Sequence, residues 1–325
     1  MFLSSPHIYS QILYVIAAFS FPIHLFGGYC ILFKTPKAMR SVKWTLFIMH
    51  FWASLFDLSI SFFGQPFICT PVLAGFPLGL WSWLEVDTGI VMFLGFTTAF
   101  LMPISVIKTF ENRYYILFAD RTVWRYFRYP FFVLNYILSI SSGLTTYFMI
   151  PEQSYARSVI FERNPDLLQF DFPESPILVL AIDNTFNKYR QFALIAIFIS
   201  EIMIFVLLIR WNTNNAMKDM KISPSTLRLQ KNFMRALNYQ IAIPIILLCI
   251  PSVAGITIPT LIQDHQAFNN FVYVVVSFHG VLSTFIMVYL QKPYRDVVLK
   301  MFGVDVTSNI RVAHSVDRIT GSVLF

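Results

Sequence analysis

The chain has 325 residues, of which 56% are hydrophobic and only 13% charged, with a mean hydropathy of +0.63. That excludes a soluble domain, which needs a charged surface, and assigns the chain to lipid. The net charge of +7 does not indicate nucleic acid, because the basic residues fall in short clusters between apolar runs and not on one continuous face.

A bilayer span takes about 20 mostly apolar helical residues. Seven stretches qualify, at about 9–33, 44–68, 80–107, 127–150, 191–211, 236–260 and 271–290. No Lys or Arg precedes the first run and no small-residue cleavage site follows it, so it reads as a retained first helix. The connections then differ sharply in charge. The first holds Lys34, Lys37, Arg40 and Lys43; the third holds Lys108, Arg113, Arg121, Arg125 and Arg128; the fifth runs from Arg210 to Arg235. With the tail, 291–325, these account for 20 of the 24 basic residues. Short cytoplasmic loops retain positive charge. The predicted fold is therefore an all-α membrane protein, a single seven-transmembrane helix bundle over 1–325, with its N-terminus outside and its C-terminus cytoplasmic.

The fourth connection, 151–190, is the long extracellular loop and carries Glu152, Glu162, Asp166, Asp171, Glu174 and Asp183. A loop of that length is either functional or simply solvated. Before the sixth span, Ser223-Pro224 opens a helix in which Arg228, Lys231 and Arg235 share one face, suited to an acidic protein surface or to anionic lipid headgroups. Pro244, Pro251 and Pro259 kink the sixth span. After the seventh, Pro293, Tyr294 and Arg295 open a short amphipathic helix whose Val297, Val298, Met301 and Phe302 suit the membrane surface. Cys30, Cys69 and Cys249 lie on separate apolar segments, so neither a disulfide framework nor a metal site is expected.

Ionisable groups inside spans are costly and face the bundle interior or a water-filled cavity. Asp57, mid-way along the second span, reads as an intramembrane switch or as a buried acid hydrogen-bonded to its neighbours. Glu85 and Asp87 at the outer end of the third span, Glu201 in the fifth and His279 in the seventh are candidates for a ligand pocket; Glu85 and Asp87, two apart, point to different faces. His24, His50 and His279 are scattered over three spans and read as interhelical hydrogen-bonding groups without metal-ligand spacing. At the inner end of the third span Lys108 stands three before Glu111, which predicts that these two pair. Arg113 is then left with Asn238 or Gln240, or with Asp120, Asp219 or Asp296.

Several motifs, taken in order, resemble a known family. The first turn reads Tyr29-Cys30-Ile31-Leu32-Phe33-Lys34-Thr35-Pro36-Lys37-Ala38-Met39, followed by Val42-Lys43-Trp44, His50-Phe51-Trp52 and Asp57. Then come Pro71-Val72-Leu73-Ala74-Gly75-Phe76-Pro77-Leu78-Gly79, Glu111-Asn112-Arg113-Tyr114, and Lys292-Pro293-Tyr294-Arg295. The chain resembles the nematode serpentine chemoreceptors, class H (Srh), of the Str superfamily. The resemblance implies a chemosensory G-protein-coupled receptor that takes a small-molecule ligand and activates a heterotrimeric G protein, with Glu111, Arg113 and Tyr114 at the coupling face. It also implies a multi-pass protein of the plasma membrane in sensory neuron cilia, with no cofactor. The acid and arginine of the coupling motif are separated here by Asn112, and Gln291-Lys292-Pro293-Tyr294 stands where broader receptors carry Asn-Pro.

The competing reading is a transporter or channel with polar groups lining a path between helices. No internal repeat and no pair of glycine-broken spans supports it. An enzyme would want converging acid, base or metal-binding side chains, which scattered histidines do not supply.

Overall fold

The computed structural model describes residues 2–69, 72–173, 175–218 and 265–303, with Tyr239, Ala242, Ile246, Ile250 and Val253. Six stretches among them are long and apolar enough to cross a bilayer: Pro6–Lys34, Arg40–Phe63, Thr88–Ala119, Trp124–Phe148, Thr185–Ala216 and Gln266–Leu290. The sixth expected span, 236–260, lies outside the described residues except for isolated positions, as do Arg228, Lys231, Arg235, Asn238, Gln240, Asp219 and the tail beyond 303.

In chain order the helices are α1 (Pro6–Lys34), α2 (Arg40–Leu58, continued by a π turn, Ser59–Phe63), α3 (Leu80–Trp83) and α4 (Thr88–Tyr114, continued by Tyr115–Ala119). They are followed by α5 (Trp124–Phe148), α6 (Gln153–Arg163), α7 (Thr185–Lys218), α8 (His265–Val276), α9 (His279–Leu290) and α10 (Lys292–Met301). Pro36 disfavours helical backbone at the residue before it, so α1 stops at Lys34 and Thr35 is extended, with φ −68° and ψ 123°. α4 is the central helix, packed against α2, α5 and α7. Its Met102, Ile104, Ile107 and Phe110 join Leu46, Phe198 and Phe205 in the main core. Phe19, Phe33, Leu207 and Phe285 point outward and stay exposed, as they should where lipid is the solvent.

α5 inverts the usual pattern. The residues it buries are Asn135, Ser139, Ser142, Gly143 and Thr146. Lipid is as apolar as a leucine, so helices in a bilayer associate through close approach and interhelical hydrogen bonds. Ser139 Oγ accordingly donates to the Phe100 carbonyl of α4 at 3.2 Å.

Strands β1 (Pro66–Ile68), β2 (Leu73–Pro77) and β3 (Leu178–Ala181) form an antiparallel sheet in the order β1-β2-β3, with Phe67 opposite Phe76 and Ala74 opposite Val179. Gly75 is required where the ladder is tightest, since a Cβ there would lie 2.1 Å from the Phe67 carbonyl oxygen. The 151–190 connection supplies α6, a 3-10 turn (Pro165–Phe170) and β3. Its Ala156, Ile160 and Leu167 pack with Tyr9, Leu13 and Phe67 in a second core. This end of the bundle is the sheet end; the opposite, basic end carries the junctions of α1 with α2, of α4 with α5, and α10.

Several boundaries differ from those expected: the third span, expected to end at 107, continues to Ala119, and the fifth, expected over 191–211, covers Thr185–Ala216. The second span was expected to run to Ile68 and ends at Phe63, because Gln65 sits at φ 44° and Pro66 cannot continue a helix. The third was expected from residue 80 and starts at Thr88, because Glu85 sits at φ 54° and separates α3 from α4.

Candidate functional site

Asp57 of α2 is fully buried, and an ionised carboxylate in that position must be matched by donors. It is. The last span breaks between α8 and α9, which leaves the first backbone N–H groups of α9 without partners inside the helix. Gly280 N and Val281 N donate to Asp57 Oδ2 at 2.8 and 3.1 Å, and His279 Nδ1 lies 3.0 Å from Oδ1. Asp57 thus caps a helix of another span at its positive end. His24 Nε2 of α1 stands 3.4 Å from Oδ2, and His50 Nε2 donates to the His24 carbonyl at 2.8 Å, so spans one, two and seven meet at one carboxylate. The contact is close: a Cβ on Gly280 would lie 2.6 Å from Oδ2 and 3.0 Å from the Ala53 carbonyl oxygen.

At the basic end Glu111 of α4 is also fully buried. Trp124 Nε1 donates to its Oε1 at 2.8 Å and Arg128 Nη2 to its Oε2 at 2.9 Å, both from the first turns of α5. The Arg128 guanidinium lies 3.8 Å over the Tyr115 ring. The expected Glu111–Lys108 pair is therefore replaced: the Lys108 ammonium lies over the Phe132 ring instead, 6.0 Å from its centroid. Two charge-assisted hydrogen bonds on a desolvated carboxylate outweigh one surface pair along a helix. Arg113 is half-buried on the last turn of α4, and Tyr114 packs its ring against Phe118 and Phe205 at 6.3 and 6.0 Å.

α10 begins at Lys292 with Pro293 in its first turn. Tyr294 is fully buried, and its hydroxyl lies 2.8 Å from Thr35 Oγ1. Since Thr35 Oγ1 donates to the Ile31 carbonyl, the Tyr294 hydroxyl is the donor to Thr35. Burial pushes the Tyr294 phenol above its usual range. Arg295 Nη1 reaches the Tyr289 carbonyl at 3.4 Å, and Met301 and Phe302 remain exposed. α10 is therefore pinned to the end of α1 through Tyr294, which the sequence placed only on a surface helix.

Residues 4–304 match the family described as Serpentine type 7TM GPCR chemoreceptor Srh. The chain belongs to this family. It is similar to Serpentine receptor class H-72 of Caenorhabditis elegans, with 27% identity over 298 residues, covering 89% of this chain and 83% of that one. The Srh chain is thus a multi-pass membrane protein of the seven-helix receptor class, consistent with its six long apolar helices.

The four pocket candidates of this Srh receptor do not form one group. His279 joins Asp57, and so merges the expected pocket with the expected switch. Glu85 and Asp87 are both exposed at the sheet end, and Asp87 Oδ1 accepts from Ile90 N at 3.0 Å, capping α4. Glu201 of α7 faces α5, with Asn135 Nδ2 3.5 Å from its Oε1. Sequence reasoning missed Trp124 and Arg128, although their spacing of four puts both on one face of α5. It also missed Gln266 and Asn269 of α8, which donate to the Ile68 carbonyl at 3.0 and 2.9 Å and bind the last span to the sheet. Among the described residues no group of histidines, cysteines and carboxylates could hold a metal ion.

Proposed function

We propose that this Srh receptor detects a small extracellular chemical at its sheet end and activates a heterotrimeric G protein at its basic end. The observation that carries this reading is the cap made by Asp57. One carboxylate closes the break between α8 and α9 while touching α1, so a small displacement of the outer part of the last span changes a buried polar contact shared by three helices. Packed interiors of this kind adopt discrete arrangements and do not deform continuously. Asp57 is the intramembrane switch in this reading. Arg113 and Tyr114, with the basic stripe Arg228, Lys231 and Arg235, form the face that meets the G protein, and the clustering of 20 of 24 basic residues supports a cytoplasmic location for that face. The N-terminus and the sheet then lie outside, and in this reading the receptor sits in the plasma membrane of sensory cilia.

The test is reconstitution of the full chain with G-protein heterotrimers and measurement of nucleotide exchange across a panel of small odorants and organic acids. Exchange above the basal rate with at least one compound, lowered by Arg113→Ala at equal receptor level, is the expected result. Substrate flux across the bilayer without nucleotide exchange would replace the receptor by a transporter. Tags at both termini, probed on intact and permeabilised cells, check the orientation; a tail labelled without permeabilisation overturns it.

A further inference from the structure

Two fully buried carboxylates show how charge is matched in this bundle. Glu111 and Asp57 have both carboxylate oxygens matched by donors. Arg190, in the first turns of α7 at the sheet end, does not reach that standard. Its Nη2 donates to Thr146 Oγ1 of α5 at 2.5 Å and to Asn187 Oδ1 at 2.8 Å. Its Nε and Nη1 are closed off from solvent and have no hydrogen-bond partner among the described residues. No carboxylate lies within ion-pair distance of it among those residues. The Phe186 ring is 5.5 Å from the guanidinium.

A guanidinium stays protonated, so this positive charge cannot be relieved by losing a proton. An arginine that snorkels to headgroups keeps its charged end in the interface, whereas these nitrogens are occluded. The same seam holds a second unmatched group. One turn deeper along α5, Gly143 lies against Thr97 of α4: a Cβ there would be 2.4 Å from Thr97 Oγ1. That hydroxyl is buried and also lacks a hydrogen-bond partner among the described residues. Asn187 is buried and holds the guanidinium from its own helix.

We propose that Arg190 and Thr97 form the recognition point for the oxyanion of a small organic acid, entering from the sheet end between α4, α5 and α7. A carboxylate would accept from the unmatched nitrogens of Arg190, the donor type best suited to it, and from the Thr97 hydroxyl. Asn187 and Thr146 are positioning residues that orient the guanidinium. This assignment rests on the receptor reading, since it names the class of ligand that the receptor takes. The oxyanion could equally arrive on a free acid or on a phospholipid headgroup, and the experiment separates these sources.

The full chain in nanodiscs of phosphatidylcholine is unfolded thermally with phenylacetate and octanoate, and with the neutral 2-phenylethanol and octanol. The expected result is a rise in midpoint with at least one carboxylate, an affinity at least tenfold lower in Arg190→Gln, and no change in Arg163→Gln, an exposed cation of α6. Thr97→Val keeps the guanidinium and is expected to weaken the carboxylate several-fold, so the comparison survives if Arg190→Gln does not fold. Equal carboxylate affinity in the wild type and both site variants overturns the assignment, as does the absence of a shift with either acid. Stabilisation by phosphatidylglycerol nanodiscs that depends on Arg190, with no effect of either acid, overturns it in favour of a headgroup contact. Carboxylate binding without nucleotide exchange leaves the site standing and removes the receptor reading. Nucleotide exchange driven only by the neutral alcohols, with no acid bound, does the reverse.

Discussion

Glu111 and Arg128 hold each other across the junction of α4 and α5, Nη2 to Oε2 at 2.9 Å, with the carboxylate fully buried. Glu111 is therefore tied to the next span, two positions from Arg113 on its own helix. Removing one partner of a buried pair costs roughly 3–5 kcal/mol, because the other charge is left uncompensated. Arg128→Ala is expected to destabilise the receptor by a free energy of that order, seen as a lowered thermal unfolding midpoint, with a smaller fall for Glu111→Gln and hardly any for Lys108→Ala. Equal losses for Lys108→Ala and Arg128→Ala, measured in the same detergent, would show that the pairing is with Lys108.

The cap on α9 makes a second prediction. Asp57→Asn can still present an oxygen to Gly280 N and Val281 N, whereas Asp57→Ala cannot. Loss of a cap costs about 0.5–2 kcal/mol, so Asp57→Ala is expected to be the less stable of the two by that margin. Gly280→Ala forces a methyl into the carboxylate and is expected to cost about 1–3 kcal/mol as overpacking. Unchanged unfolding in Gly280→Ala would mean that α2 and α9 are further apart than described.

Tyr294 supplies a smaller, local test. Tyr294→Phe keeps the ring in its fully buried site and removes only the hydrogen bond to Thr35. The expected cost is about 1 kcal/mol, with faster hydrogen exchange confined to α10 and the end of α1. Uniform acceleration through the whole bundle would contradict a local clasp.

Cys69, beside β1 and outside the spans, is fully buried, and burial together with the nearby Asp171 charge pushes its thiol up to about 12. Only the thiolate reacts with maleimides and disulfide reagents. Cys69 is therefore expected to stay unlabelled at neutral pH in the folded receptor and to label on denaturation, as read by peptide mass spectrometry. Rapid labelling in the native state would place Cys69 outside the second core.

The sheet end is expected to be acid-sensitive. Glu152 caps α6, accepting from Tyr155 N and Ser154 N, and these hydrogen bonds hold its carboxyl below the usual range; Thr185 does the same for Asp183. A depressed folded value means that the stabilisation is present above the unfolded pKa, about 4.3 for a glutamate. It is lost as pH falls through the folded value. Hydrogen exchange of α6 should therefore accelerate below pH ~4 in the wild type, and Glu152→Gln should show a flatter dependence. An identical acid profile in that variant would remove Glu152 as the cause.

Membrane residence, the approximate course of the long apolar helices and the Srh resemblance were legible in the sequence, because hydropathy, charge and motif order are properties of neighbouring residues. The sheet was not: β1 is three residues long, too short for alternation to register, and β3 comes from a different loop. The site was legible as a set of costly residues and not as a set of partners. Glu111 had a cation three residues away on its own helix, and local spacing favoured it; packing of α5 on α4 brought two better donors to a desolvated carboxylate. Asp57 and His279 are 222 residues apart, and no pattern along the chain relates them. In lipid an ionised group must find its donors among whatever the bundle brings within about 3 Å, so the sequence determined that Asp57 needed partners, and only the tertiary structure decided that they would be the broken last span and His24.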